Sequence, residues 1–428
     1  MIQTKTMALN SESQKFIERV AGDYRFTYQE SRQLEIAARD MEMWQEGSLE
    51  VLWLRIEAEA PLRLKGPQRK KHLLKKLRES LRSRQVKPTD YSGEPLPQPN
   101  RNSLKVTVKT SDKKIFGDCP VASPKTVCCN LRTIDAVENC AFGCSYCTVQ
   151  TFYGDEAAFD DSLGEKLKGI ELEPERFYHF GTGQSSDSLV WGNRNGILDA
   201  LCNFARKNPN ILLEFKTKSD NVAYFMEHEL PRNIVCSWSL NAEEVIINEE
   251  HFTAGLERRI AAARKVADRG IRVAFHFHPM VYHQGWDKAY PELARRVQEQ
   301  FRPEEVLFIS YGSVTFIKPV VQAIRKRGEK TKILQMEMVP DPHGKLTYPD
   351  PVKFEMFRTM HKAFAPWHDG VFFYLCMERA EIWDGVFGWH YKTNEIFETE
   401  FGKSVMKKLG VKHGDSRAKQ RGLSIDGN

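Results

Sequence analysis

The chain has 428 residues, 41% hydrophobic and 28% charged, with a formal net charge of +6. This is ordinary globular composition, which excludes a wholly disordered chain or a coiled-coil rod. No run of about 18 apolar residues is present, so no membrane-spanning helix and no membrane partner are expected. The opening residues, MIQTKTMALNSESQ, carry no apolar secretory core, and a cytoplasmic protein is expected. Cytoplasmic thiols stay reduced, so the nine cysteines read as ligands, reactive thiols or core residues rather than disulfides.

Three regions differ in texture. Residues 1–115 read as a helical, basic region with a linker. A helical pattern runs from Ser11 to Trp44, with Phe16, Val20, Leu34, Ile36 and Met41 among many charges. A second stretch, Arg63 to Lys87, carries eleven Lys or Arg against one acid, Glu79. Its leucines 73, 74, 77 and 81 form one apolar stripe at helical spacing. Such a stretch suits either a solvated helix face or contact with nucleic-acid phosphates. Pro88 to Pro99 reads as a linker or exposed loop.

Residues 116–380 alternate short apolar runs with amphipathic stretches. Strands are expected at Leu131–Val137, Arg176–Phe180, Ile211–Thr217, Ile234–Leu240, Ile271–Phe277, Val306–Tyr311, Ile333–Met338 and Val371–Leu375. Helices are expected at Ser188–Arg206, Gly255–Arg269, Ala289–Phe301 and Pro351–Phe364. This α/β alternation, with strands rich in Val, Ile and Phe, points to a parallel sheet, open or closed into a barrel. Residues 381–428 form a short C-terminal extension ending in a polar tail, GDSRAKQRGLSIDGN.

The sharpest chemical feature is Cys140-Ala-Phe-Gly-Cys144-Ser-Tyr-Cys147, directly after the first strand of the alternating region. Structural zinc takes four ligands, and no fourth Cys or His follows at ribbon-like spacing. A [4Fe–4S] cube that only carries electrons also takes four cysteines. Three cysteines leave one iron open to a small molecule, which points to chemistry. A zinc site or three unrelated thiols are the competing readings.

C-x3-C-x-aromatic-C after the first strand of a βα series resembles the radical S-adenosylmethionine (SAM) superfamily. The likeness narrows to its spore photoproduct lyase family. It is carried by Cys144-Ser-Tyr-Cys147-Thr-Val-Gln150, Thr217-Lys218-Ser219, Ser237-Trp-Ser-Leu-Asn241, the stretch from Glu257 to Gly270, and His283-Gln-Gly-Trp286 with Tyr290. The resemblance implies an incomplete (βα) barrel. Cys140, Cys144 and Cys147 would hold a [4Fe–4S] cluster, and the open iron would bind SAM. Tyr146 would lie near the adenine, Gly181, Thr182 and Gly183 beside the methionyl amino group, and Ser186, Lys218 and Ser239 at the carboxylate. It also implies a flavodoxin or ferredoxin as electron donor, and a DNA or nucleotide-like substrate attacked by a 5′-deoxyadenosyl radical. A basic segment, 63–87, would then meet DNA.

The chain departs from that family where hydrogen is returned to the product radical. The family has a cysteine after the second strand, in a C-T-S-D context; here Gln184-Ser185-Ser186-Asp187 stands there. Of the two relay tyrosines that flank the third cluster cysteine in that family, this chain keeps Tyr146, which the resemblance implies to be catalytic, and has Thr148 in place of the other. The lesion-binding Arg-Tyr pair has no match in the stretch Asp341 to Tyr348. Cys376, at the end of the last expected strand, is the first thiol to consider as a replacement catalytic donor, alongside Cys236. His276 and His278 share a strand face and suit substrate phosphate, proton transfer, a second metal or a buried hydrogen-bonded pair. Cys119, Cys128 and Cys129 read as structural. Competing functions are a radical SAM enzyme acting on a peptide or small metabolite, and a non-catalytic metal-binding protein.

Overall fold

Eight strands lie side by side in chain order: β1 (Phe116–Asp118), β2 (Arg132–Ile134), β3 (Tyr178–Thr182), β4 (Ile211–Thr217), β5 (Ile234–Ser239), β6 (Val273–Met280), β7 (Val306–Ser313) and β8 (Phe372–Leu375). The computed structural model describes residues 9–100, 103–119 and 125–411. From β2 to β8 every neighbouring pair is parallel; β1 is the antiparallel edge. β1 and β8 do not pair, so the sheet curls into an incomplete barrel. The expected polar tail lies outside the described residues.

Between the strands run helices whose apolar faces cover the convex side of the sheet. Leu256–Asp268 buries Ile260, Ala263 and Val266, and Trp286–Gln300 buries Leu293, Ala294 and Val297. Strand alternation sends Phe275 and Phe277 of β6 toward this helical layer, where Phe275 meets Phe301 and Phe277 meets Phe364. The concave face therefore receives His276 and His278. Cys236 also faces away from the concave side, being fully buried between two inward residues' neighbours, with Cys202 of the Ile197–Lys207 helix nearby. It cannot serve as a donor in the cavity.

Several elements differ from their sequence pattern. The run Ser11 to Trp44 is two helices, Ser11–Asp23 and Tyr28–Trp44, because Thr27 and Glu30 form a capping box that starts a new helix. The stretch Ser188–Arg206 is helical only from Ile197. Gly192, Asn195 and Gly196 all have positive φ before it, which a continuous helix does not allow. Ile333–Met338 forms no strand. Turns closed by Thr331 and Lys332 fold this run, and Ile333, Leu334 and Met336 become core filling instead. Helix Leu49–Glu59 was not apparent in the periodicity; its cap Ser48 is a weak local signal.

The basic stretch forms a helix, Gly66–Gln85, with Leu73, Leu74 and Leu77 buried against the other N-terminal helices. Pro88–Pro99 is not a free linker. Thr89, Tyr91 and Leu96 are buried on the barrel, and the Thr89 amide donates to Tyr282 O (2.9 Å). Asp40 of the second helix receives two hydrogen bonds from Arg325 (2.6 and 2.8 Å), which ties the helical region to the barrel.

At the bottom of the barrel, the C-terminal helix Asn394–Leu409 inserts Phe401 beneath the strands. Its ring lies 5.0 Å from His179, 5.3 Å from Phe308 and 5.3 Å from Phe372. Truncating a fully buried aromatic of this kind costs about 3–5 kcal/mol. Phe401→Ala is therefore expected to lower the chemical-denaturation midpoint by an amount corresponding to that loss. An unchanged midpoint would mean that the plug contributes nothing to the barrel.

Candidate active site

The cysteine segment is a loop clamped from several sides. Asn139, at φ 72°, donates to Gly154 O (2.7 Å) and Glu156 O (3.0 Å) and accepts from the Cys140 amide (2.8 Å). Gly143–Cys144 pairs antiparallel with Glu250–His251. Gln150 donates to Phe142 O (2.8 Å) and closes the far side.

Two adjacent acids then hold the motif's middle. The Ser145 amide donates to Glu249 O (2.9 Å), and the Ser145 hydroxyl donates to the Glu249 carboxylate. That carboxylate also accepts from Tyr91 (2.8 Å), Thr331 (2.5 Å) and the Lys332 amide (2.9 Å). The Tyr146 hydroxyl donates to Glu250 (2.6 Å), which forms a fully buried ion pair with Arg259 (2.7 Å). Burial pushes the Glu250 pKa up, but Arg259, Lys218 and Tyr146 outweigh it and hold the group at about 2.

Cys140, Cys144 and Cys147 ring one cavity of about 130 Å³. Burial raises the Cys140 thiol to about 12 and pushes Cys144 well up too. Among the described residues, no three His, Cys, Asp or Glu side chains are arranged to hold a single metal ion. The three thiols instead surround shared space, and thiolate sulfur is the donor that iron–sulfur clusters take.

Tyr146, Gly183, Ser186, Lys218 and Ser239 line the same cavity. Gly183 has φ +92°, and a Cβ there would lie 2.7 Å from Ser188 Oγ and 2.9 Å from Ser186 O. Only glycine fits. Lys218 donates to Ser239 Oγ (2.6 Å), and its ammonium lies 5.8 Å from the Tyr146 ring centre. The Ser186 hydroxyl accepts from Trp191 (3.0 Å). Asp187 accepts from the Lys218 amide (2.7 Å) and Thr217 (2.7 Å), which fixes the β4 end against the β3 turn.

A second cavity, about 290 Å³, adjoins the first and shares Tyr146, Cys147, Gln184, Lys216 and Lys218 with it. Gly181, Thr182, Thr148 and Cys376 line this inner chamber, as do His276 and His278. Thr182 is tied up with Ser188 Oγ (2.7 Å), so its hydroxyl serves the wall. Cys119, Cys128 and Cys129, expected as structural, also line the chamber. A hydrogen bond from Cys129 pulls the Cys128 thiol down to about 7. Burial pushes Cys376 well up, so it stays a thiol at neutral pH.

The sequence profile of the spore photoproduct lyase family matches residues 132–345, half of the chain. The chain belongs to the spore photoproduct lyase family. It is 26% identical over 208 residues to a spore photoproduct lyase of Geobacillus sp. (strain Y412MC61), covering 47% of this chain and 61% of that one. With the Bacillus subtilis (strain 168) enzyme it shares 27% over 203 residues, covering 45% and 59%. The match thus spans about three fifths of these relatives' length. Among solved structures, a spore photoproduct lyase complexed with dinucleoside spore photoproduct aligns with TM-score 0.55 at 21% identity, over 71% of this chain and 94% of that chain. A double mutant with bound AdoMet and dinucleoside spore photoproduct aligns with TM-score 0.55 at 22% identity, over 71% and 94%. These likenesses establish the incomplete-barrel fold.

Glu249, Glu250 and Arg259 were not singled out in the sequence of this family member, yet they hold the motif. The signal in the sequence is a pair of acids one residue beyond the apolar run Val245-Ile246-Ile247, after Asn248. Removing one partner of a buried ion pair costs about 3–5 kcal/mol, and Glu250→Ala is expected to destabilise the protein by that amount. Because the carboxyl is held at about 2 against an ordinary 4.5, its contribution is complete above pH 4.5 and is lost as pH falls toward 2. Unfolding measured against pH should show wild type and Glu250→Gln converging over that window. Parallel profiles would contradict the pairing.

Proposed function

We infer that the protein is a radical SAM enzyme acting on a DNA or nucleotide-like photoproduct. The observation that carries this reading is the first cavity, where three thiols face Tyr146, Gly183, Ser186, Lys218 and Ser239 and which adjoins a larger chamber. Cys140, Cys144 and Cys147 would hold the cluster. Lys218 and Ser239 would bind the SAM carboxylate, Ser186 would add a hydroxyl, and Gly181–Gly183 would let the methionyl amino group approach backbone. When bound, the cluster and SAM would supply the radical chemistry that abstracts hydrogen. A flavodoxin or ferredoxin would supply the electron.

The protein's own contribution after abstraction is hydrogen return. Gln184 and Thr148, at the family's donor and relay positions, have only strong N–H and O–H bonds. Cys376 faces the same chamber and stays protonated. Its S–H bond would break as the substrate C–H bond forms, leaving the radical on sulfur. Cys119, Cys128 and Cys129 surround it as further thiols.

Nucleic-acid contact through residues 63–87 has fewer cations available than the composition implies. Lys70, Arg82 and Arg84 are paired with Glu30, Glu337 and Glu46. Arg63, Lys65, Lys71 and Lys87 remain exposed.

Anaerobically reconstituted protein is expected to carry about four irons per chain, and none in any of the three Cys→Ala variants. One zinc per chain instead would end the radical reading. Lys218→Ala should weaken SAM binding by about 1.5–3 kcal/mol through loss of a charge-assisted hydrogen bond; calorimetry showing unchanged affinity would remove Lys218 from the cofactor site. Turnover of spore photoproduct without added thiol should be lost in Cys376→Ala. Equal turnover by wild type and this variant would rule out Cys376 as donor.

A further inference from the structure

Two basic side chains in the inner chamber make no side-chain hydrogen bond among the described residues. On β4, Glu214, Lys216 and Lys218 alternate onto the concave face. Glu214 is fully committed: it meets His179 (2.8 Å), His276 (2.5 Å) and Ser237 (2.5 Å). Lys218 is committed to Ser239. Lys216 lines both cavities, and its ammonium makes no hydrogen bond or ion pair among the described residues.

His276 and His278 divide in the same way. Both ring nitrogens of His276 are bonded, to Ser310 (2.5 Å) and Glu214 (2.5 Å). The His278 ring makes no hydrogen bond among the described residues and lines the chamber. It lies flat against Gly312 of β7, where a Cβ would stand 2.8 Å from two ring carbons. The absence of a side chain at 312 is what gives this ring its place.

Glu214, two residues along β4, acts on Lys216 as a carboxylate, but its oxygens are bonded to two histidines and a serine. Burial lowers the pKa of Lys216 and of His278, and Lys216 adds to the effect on His278. The nearby Cys376 thiol is protonated, and Glu214 is already shared by two histidines. The remaining walls include Leu131, Val314, Phe316 and Leu375. A chamber with apolar walls and two nitrogen donors that bond to no side chain among the described residues favours an anion, which accepts hydrogen bonds from both and draws them toward their protonated forms.

We propose that Lys216 and His278 form a phosphate subsite that takes the phosphodiester joining the two nucleosides of the substrate. This rests on the nucleic-acid reading above. The reacting base would lie toward Tyr146 and Cys147, and the linking phosphate would sit deeper, between β4, β6 and β7. Substrates lacking that phosphate would bind the chamber without engaging this pair.

The test is equilibrium binding to the full-length, cluster-loaded chain under anaerobic conditions. The probes are spore photoproduct with its bridging phosphate, the dinucleoside form without it, and inorganic phosphate. Wild type should bind the phosphate-bearing form about tenfold more tightly, or better, than the dinucleoside. Lys216→Met should bring the two within about twofold while leaving dinucleoside affinity unchanged, and Lys216→Arg should restore the preference. Gly312→Ala, which displaces the His278 ring without touching a charge, should reduce the preference in the same direction. Wild type that ignores the bridging phosphate, or Lys216→Met weakening both photoproducts equally, overturns the subsite and leaves the nucleic-acid reading intact. Lys216-dependent binding of inorganic phosphate with no binding of either photoproduct keeps the subsite and overturns the nucleic-acid reading.

Discussion

Two consecutive buried carboxylates, Glu249 and Glu250, hold the cysteine loop in place. Each takes one residue of the motif, Ser145 or Tyr146, and each carries that residue to a different part of the fold. Glu249 gathers donors from the Tyr91 segment and the Thr331 turn. Glu250 is matched by Arg259, which in turn donates to Ser239 O (2.8 Å) and Ala254 O (2.7 Å). A loop of small residues has little core of its own to order it. Here the ordering comes from charge-assisted hydrogen bonds in a dry setting, where they are strong and where a missing partner is costly.

The concave face of the barrel is built in layers, as strand alternation and parallel register require. Lowest is the aromatic plug of Phe401 and Phe308 around His179. Above it lies the polar layer of Glu214, His276, Ser237 and Ser310, in which nearly every donor meets an acceptor. Lys216, His278 and Cys376 come next, then Lys218 and Ser239. Polarity becomes less satisfied toward the strand ends. The satisfied layer gives stability, and the unsatisfied one is left for ligands.

Much of the barrel was legible because its strands are buried on both faces and read as apolar runs. The cysteine spacing, the inward pair His276 and His278, and the basic helix were visible for similarly local reasons. What escaped depended on distant partners. Nothing near Ile333 says that its run will turn on Thr331, and nothing near Pro88 says that the segment will lie on β6's extension. Cys119, Cys128 and Cys129 read as structural because their spacing suits no cluster. The curl of the sheet brings them to the chamber that Tyr146 and Cys376 also line.

The segment from Thr89 to Leu96 runs along the barrel and contributes a donor to Glu249, while the Leu96 amide donates to Asn248 (2.8 Å). The helical bundle before it therefore shares a mechanical path with the cysteine loop: bundle, strap, Glu249, Ser145. A load on the bundle, such as a bound polymer pulling on its basic helix, would reach the loop through hydrogen bonds rather than through a slack tether. The barrel is thus joined to the bundle by more than a detachable handle. Cutting the chain after Leu96 would remove the Tyr91 donor that helps hold Glu249 and, through it, Ser145.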